Sequence, residues 1–216
     1  MENLFIKVCG LRDAANIEAI TALNPDMIGH IFYDKSLRFL DKPIEVSNKN
    51  SRRIGVFVNA TIKEIIDHVF DFDLNGIQLH GNEDKAFVID LIIALAANNI
   101  HKMLIIKALG IENKNDLAKA NEFESFVNYI LLDTKTPKHG GSGQKFDWSI
   151  LRHYVCVTPF ILSGGIDLTD VEDILKIEHE NFAGVDINSK FEIEPGIKDV
   201  EKVELFIKKL RKNEYI

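Results

Sequence analysis

The sequence predicts an α/β fold, a (β/α)8 TIM barrel of eight parallel strands with an outer ring of helices, as one domain over residues 1–216. Three observations carry this. Short β-branched runs alternate strictly with longer stretches of helical period, which implies parallel strands joined by crossover helices. Eight such units fit the ~200–250 residues that a barrel of this class needs. Several strand runs also end in a polar residue on one face only, near the C-terminal end, where a barrel places its active site.

The strand runs, in order, are Leu4–Gly10, Met27–Phe32, Ile54–Asn59, Gly76–Gly81, Lys102–Leu109, Tyr129–Thr134, Phe160–Gly165 and Gly184–Ser189. Between them, Ile62, Ile65, Ile66, Val69 and Phe70 share a helical face, as do Val200, Val203, Phe206, Ile207 and Leu210. The apolar stretch Phe87 to Ala97, broken by Asp90, is a further helix candidate. Thr61-x-x-Glu64 and Thr169-x-x-Glu172 read as capping boxes, in which a hydroxyl and a carboxylate satisfy free N–H groups. Asp34 to Arg52 has the weakest helical pattern. No Pro/Gly/Ser linker splits the chain. A doubly wound open sheet would call for a glycine-rich turn after the first strand, and Cys9-Gly10-Leu11-Arg12-Asp13 offers a single glycine.

Strand parity locates the candidate site. Residues two apart share a face, so Leu4, Ile6 and Val8 oppose Phe5, Lys7 and Cys9, while Ile77 and Leu79 oppose Gln78 and His80. In the same way Ile130 and Leu132 oppose Leu131 and Asp133, and Val185 and Ile187 oppose Asp186 and Asn188. One face of each strand is aliphatic, as packing under helices requires.

Composition bounds the function classes. The 216 residues are 46% hydrophobic and 27% charged, an ordinary globular profile. A net charge of -7 and a pI near 5.5 leave no basic excess to displace phosphate counterions, which argues against nucleic-acid binding. Local anion binding through backbone N–H groups stays open. Cys9 and Cys156 lie far apart with no metal-spaced partner, so neither a disulfide framework nor a metal site is expected. A reducing cytoplasmic setting fits, with no membrane partner.

Cys9 is either a buried structural thiol or a base, and parity alone leaves both open. As a base it needs its thiolate, only ~3% populated at neutral pH for a reference pKa of ~8.5; Lys7 on the same face helps to lower that pKa. Asp133 is either a cap or, in apolar surroundings that raise its pKa, a general acid. Gly140-Gly141-Ser142-Gly143 and Ser163-Gly164-Gly165 fall on consecutive loops ahead of Asn188-Ser189. In these barrels such loops often bring N–H groups to a phosphate, so Gly141, Gly143, Gly164, Gly165, Asn188 and Ser189 are candidate phosphate-binding residues. Arg38 is a bidentate carboxylate clamp or a solvated loop arginine, and His80 a proton-transfer residue or a hydrogen-bonded core histidine.

These residues, in this order, resemble the phosphoribosylanthranilate isomerase family over nearly the whole chain. The motifs are Lys7-Val8-Cys9-Gly10, Gly55-Val56-Phe57-Val58-Asn59, Gln78-Leu79-His80-Gly81-Asn82-Glu83, Leu131-Leu132-Asp133-Thr134 and Gly140-Gly141-Ser142-Gly143. They continue with Phe146-Asp147-Trp148, Ser163-Gly164-Gly165, Val185-Asp186 and Pro195-Gly196-Ile197-Lys198-Asp199. The resemblance implies an Amadori rearrangement of a phosphorylated aminoaldose in tryptophan biosynthesis, with Cys9 as general base and Asp133 as general acid. It further implies Arg38 on the anthranilate carboxylate, His80 and Asp186 lining the site, and no metal or redox cofactor. A small phosphorylated substrate is the expected partner, taken by a monomer or homodimer. His30, Leu37, Asn188 and Lys190 depart from the family's usual residues, and Leu37 replaces a proline that commonly precedes the arginine. The rival readings are the aminoaldose isomerase of histidine biosynthesis, which resembles this chain in its phosphate architecture but uses aspartates, and a catalytically silent phosphate-binding barrel.

Overall fold

The computed structural model describes residues 4–44, 50–135 and 145–212. Eight parallel strands close on one another in chain order. They are β1 (Phe5–Cys9), β2 (Met27–Ile31), β3 (Arg52–Phe57), β4 (Gly76–Leu79), β5 (Leu104–Ile111), β6 (Tyr129–Thr134), β7 (Phe160–Leu162) and β8 (Phe182–Ile187). Closure sets β8 against β1 with Lys7 level with Asp186, and β1 against β2 with Cys9 level with Gly29. Each expected strand run is present, with ends shifted by a few residues. β7 stops short of the expected Gly165 because Gly164 and Gly165 turn to φ +89° and +67°, outside the extended range.

The α-helices are α1 (Ala14–Ala22), α2 (Ile62–Asp71), α3 (Lys85–Ala97), α4 (Val171–Leu175) and α5 (Val200–Lys212). Asp84 caps α3 by accepting from Phe87 N–H at 2.8 Å, and the helix buries Val88, Leu91 and Leu95. The outer ring is uneven. The crossovers after β5 and β6 use 3-10 turns, Lys114–Phe123 and Trp148–His153, rather than α-helices. No helix follows β2 among the described residues, in line with the weak pattern there. Among the described residues, no helix is long and apolar enough to cross a membrane.

The capping box at Thr61 and Glu64 forms in both directions. That expected at Thr169 and Glu172 does not. Asp167 caps instead, accepting from Leu168 N–H at 2.6 Å while its own N–H donates to Asp170 at 2.7 Å. An aspartate at the end of the loop outcompetes the threonine two residues on, and the 3-10 turn Leu168–Asp170 then carries Thr169 past the cap position. Phe70 likewise leaves the buried face of α2 and lies exposed, since it sits at the rim of a stripe centred on Ile65 and Val69.

Strand parity sorts the core into two layers. Ile6, Val8, Ile77, Leu79, Ile130, Leu132, Val185 and Ile187 pack outward under the helices with Val203, Phe206 and Leu210 of α5. Burial of each such side chain contributes about 1.5–3 kcal/mol relative to exposure. Inside the barrel, Met27, Ile54, Ile106, Ala108, Leu131 and Ile161 form a separate apolar plug, with Phe5 and Tyr129 packed against it. The next inward residues along β1, β4, β6 and β8 are Lys7 and Cys9, Gln78 and His80, Asp133, and Asp186. The plug is thus the floor of a polar mouth.

Candidate active site

Cys9 ends β1 where two glycines make room for it. A Cβ on Gly29 would lie 2.7 Å from Cys9 Sγ and 3.1 Å from Lys7 Nζ, so only glycine at that place in β2 leaves space for the thiol and the ammonium. Gly10, at φ +81°, turns the chain immediately after the thiol. A Cβ there would lie 2.7 Å from Asn188 Oδ1 and 2.8 Å from Arg38 Cδ, so both side chains close in over the end of β1.

Lys7 Nζ donates to Asp186 Oδ1 at 2.9 Å, and both groups are buried. Burial alone would lower the Lys7 pKa, yet the charges of Asp186 and Cys9 outweigh it and raise it, so the ammonium stays charged. For Cys9 the balance falls the other way. Burial pushes the thiol up, and the pull of Lys7 and Lys198 only partly opposes it. The expected lowering by Lys7 is present but does not prevail. Burial also raises the Asp186 carboxyl against the opposing pull of Lys7.

Asp133 lies next to the end of β6 on the same inner face, separated from β1 by β7 and β8. Its Oδ1 accepts from Thr134 N–H at 2.9 Å, and its Oδ2 lies 3.3 Å from His80 Nε2. Gln78, two residues before His80 on β4, brings its Nε2 to 2.8 Å from His80 Nδ1. Gln78 donates there, and the other ring nitrogen of His80 faces Asp133. The Asp133 side chain is 23% exposed. The apolar surroundings expected from sequence are therefore interrupted by a histidine and an opening to solvent.

Gly164 packs against this acid. A Cβ on Gly164 would lie 2.6 Å from Thr134 N and 2.8 Å from Asp133 Oδ1, and with Gly165 also at positive φ the loop is open only to glycine. Ser189 opens a 3-10 turn, Ser189–Phe191, directly after Asn188. The Asn188 side chain accepts from Lys198 Nζ at 2.7 Å through Oδ1, which leaves the donors of its Nδ2 and backbone for an anion. Lys190 is exposed, and its carbonyl accepts from Lys202. Gly140, Gly141, Ser142 and Gly143 lie outside the described residues.

Arg38 is brought to the mouth but is not free. Its Nε donates to Glu192 Oε1 and Oε2 at 2.8 and 3.1 Å, and its Nη2 to Oε2 at 2.6 Å. Glu192 begins β9 (Glu192–Glu194), which pairs antiparallel with β10 (Ile197–Lys198). Lys198 Nζ holds Glu192 Oε1 from the other side at 2.6 Å. Burial would raise the Glu192 carboxyl, but Arg38 and Lys198 together hold it below its usual range. Burial lowers the Lys198 pKa against the pull of Glu192 and Cys9. Gln78, Glu192 and Lys198 received no role from the sequence. Gln78 shares the inner face with His80, and Lys198 sits in the Pro195–Asp199 motif; for Glu192, only its place beside Asn188-Ser189 pointed to the site. Among the described residues, no group of three or more His, Cys, Asp or Glu side chains could hold a metal ion.

The geometry can therefore offer a thiol among cations, an Asp–His pair, glycine turns and an arginine fork around one mouth. Comparison with known proteins bears on which chemistry this serves. The family model for N-(5'-phosphoribosyl)anthranilate (PRA) isomerase matches residues 6–209. The N-(5'-phosphoribosyl)anthranilate isomerase of Parabacteroides distasonis is 42% identical over 215 residues, covering 96% of this chain and 93% of that protein. The crystal structure of phosphoribosyl anthranilate isomerase from Thermotoga maritima superposes with a TM-score of 0.78 at 31% identity, over 97% of this chain and 99% of that one. A structure of the enzyme in complex with reduced 1-(o-carboxyphenylamino)-1-deoxyribulose 5-phosphate has a TM-score of 0.75 at 28% identity, over 97% and 99%. This chain belongs to the N-(5'-phosphoribosyl)anthranilate isomerase family.

Proposed function

We propose that the chain converts N-(5-phosphoribosyl)anthranilate to 1-(2-carboxyphenylamino)-1-deoxyribulose 5-phosphate, the Amadori rearrangement of tryptophan biosynthesis, with Cys9 as general base and Asp133 as general acid. The observation that carries this reading is the presence, at one mouth, of a thiol beside two lysines and a carboxyl beside a histidine. Glycine turns suited to phosphate and an arginine suited to a carboxylate flank them.

In this mechanism Asp133 gives its proton to the furanose ring oxygen, the C1–O bond breaks and the anthranilate nitrogen becomes a Schiff base. The positive charge on that nitrogen acidifies the C2 proton. Cys9, as thiolate, removes it to leave an enolamine, which tautomerises to the ketone with a proton returned at C1. No atom is gained or lost, and the substrate's own nitrogen is the electron sink. The Asp133 carboxyl is partly open to solvent, from which the proton used in ring opening is reloaded. Lys7 and Lys198 favour the thiolate while burial opposes it, so turnover should rise with pH through the raised thiol pKa. Gly164, Gly165, Asn188 and Ser189 take the phosphate through backbone and hydroxyl groups, with Gly141 and Gly143 completing the site. Arg38 takes the anthranilate carboxylate, and Asp186 fixes Lys7.

The test is loss of anthranilate-ribose fluorescence on addition of purified protein, repeated with Cys9→Ser and Asp133→Asn. Each substitution keeps the shape but removes the ionisable group or its proton, and should cost about 10³-fold or more, mainly in kcat. Activity of Cys9→Ser within a few-fold of the parent would make the cysteine structural. Activity only on the histidine-pathway aminoaldose would favour the aspartate-based reading, and ligand-induced stabilisation without turnover would identify a silent barrel.

A further inference from the structure

We infer that Glu192 is a positioning residue that aims Arg38 by occupying one edge of its guanidinium, leaving the other edge for the substrate's aryl carboxylate. This deepens the reading above and rests on it.

A guanidinium presents five N–H donors in a rigid fork. Glu192 takes the side formed by Nε and Nη2, with contacts of 2.6–3.1 Å. The end-on edge, formed by Nη1 and the second Nη2 hydrogen, is geometrically separate and can grip a second carboxylate in parallel. Glu192 is held in place from two further sides, by Lys198 Nζ at 2.6 Å and by Gly196 N–H at 3.1 Å, both on Oε1. Lys198 is itself bolted to α1, because its N–H donates to Asn16 Oδ1 at 2.8 Å and its carbonyl accepts from Asn16 Nδ2 at 2.9 Å. The hairpin β9–β10 is thus a rigid bracket, whereas Arg38 comes from a loop whose preceding residue, Leu37, is largely exposed.

Charge makes the same point. Arg38 and Lys198 are two cations around one carboxylate, so the largely buried cluster has one positive charge in excess. An arriving aryl carboxylate neutralises it without displacing Glu192. The bracket also reaches the other end of the substrate, since Lys198 Nζ bonds Asn188 Oδ1 at 2.7 Å beside the proposed phosphate loop. Glu192 therefore sets the angle of Arg38 relative to that loop.

The experiment measures binding by calorimetry, so that it does not depend on turnover. The probes are reduced 1-(o-carboxyphenylamino)-1-deoxyribulose 5-phosphate and its phenylamino counterpart without the carboxyl. The parent should prefer the carboxylated probe by about tenfold or more, and Arg38→Ala should abolish that preference. Glu192→Gln should remove most of the preference by weakening the carboxylated probe alone, with the phenylamino Kd unchanged within about twofold. A merely structural role would weaken both probes together. An unchanged preference, or tighter binding of the carboxylated probe as expected if Glu192 competes with it, overturns the inference while Arg38→Ala still supports the carboxylate reading. If Arg38→Ala also leaves the preference intact, the carboxylate reading itself falls and takes this inference with it. Should Glu192→Gln fail to fold, Glu192→Asp keeps the charge beside Lys198 but shortens the reach to Arg38, and the same selective loss is expected.

Discussion

The Cys9 side and the Asp133 side of the barrel mouth hold their acid–base groups in contrasting ways. Cys9 is sealed among formal charges, with Lys7, Asp186 and Lys198 all acting on it. Asp133 keeps part of its carboxyl open and has a histidine and a backbone N–H as its partners. Under the proposed mechanism the contrast matches what each group would have to do. A thiol that takes a carbon-bound proton must be ionised, and cations in a water-free pocket favour the thiolate more strongly than they would in solvent. An acid that protonates a ring oxygen must be reprotonated in each cycle, which an opening to solvent allows.

The largest effect that would break this comparison comes from Lys7. Lys7→Met leaves Asp186 as a buried carboxylate without its cation, which should cost about 3–5 kcal/mol of stability. It also removes a charge that favours the thiolate, so kcat should fall by about 100-fold and the acidic limb of the rate profile should move to higher pH. Adding Asp186→Asn should restore most of the stability in denaturant melts but little of the activity. Recovery of both would mean that Lys7 serves the fold and not the thiol.

A smaller effect is expected on the other side. His80→Gln removes the partner of Asp133 without exposing a buried charge, since the Asp133 carboxyl already meets water. The loss should be about tenfold in kcat, at the lower end of acid–base contributions. The pH dependence of Cys9 alkylation by iodoacetamide should not change, because His80 acts at the acid. A shift in that alkylation profile would show that the two sides are coupled through Asp186 and are not independent.

How much of this could be read from the chain differs between the two sides for a physical reason. Cys9, His80, Asp133 and Asp186 follow from strand parity, because a period of two forces them onto the inner face once their neighbours are aliphatic. The barrel follows from the alternation of periods, while the 3-10 crossovers after β5 and β6 and the cap at Asp167 escape it. The Glu192–Lys198 bracket escapes it too. Arg38 and Glu192 are 154 residues apart, and the contact depends on how a two-strand hairpin folds back over the mouth, which no periodicity encodes. Electrostatic surroundings were also only half legible. Lys7 beside Cys9 could be foreseen, but the dominance of burial over that charge depends on packing that Gly29 makes possible.

The smallest effect concerns a group beneath the Cys9 side that should touch stability and leave catalysis alone. His30 lies on β2, buried, with its Nδ1 3.1 Å from the Leu11 carbonyl. Donation to that carbonyl keeps a proton on Nδ1, and burial is what holds the ring neutral. Burial lowers its pKa to about 4, with Arg53 and Lys7 adding to the effect and the Leu11 bond opposing it. An unfolded histidine titrates near ~6.5, so between these values the unfolded chain binds more protons than the folded one. Stability should therefore be full above about pH 6.5 and fall as pH drops towards 4, by about 3 kcal/mol from this residue. His30→Phe loses the Leu11 bond at every pH, which lowers the whole stability curve but removes this part of its slope. Urea melts of the parent and of His30→Phe between about pH 7 and 4.5 should converge as pH falls, with kcat at neutral pH alike within about twofold. Parallel stability curves would mean that His30 is not held neutral by burial, and that the charge of the Cys9 pocket does not extend through β2 to its outer face.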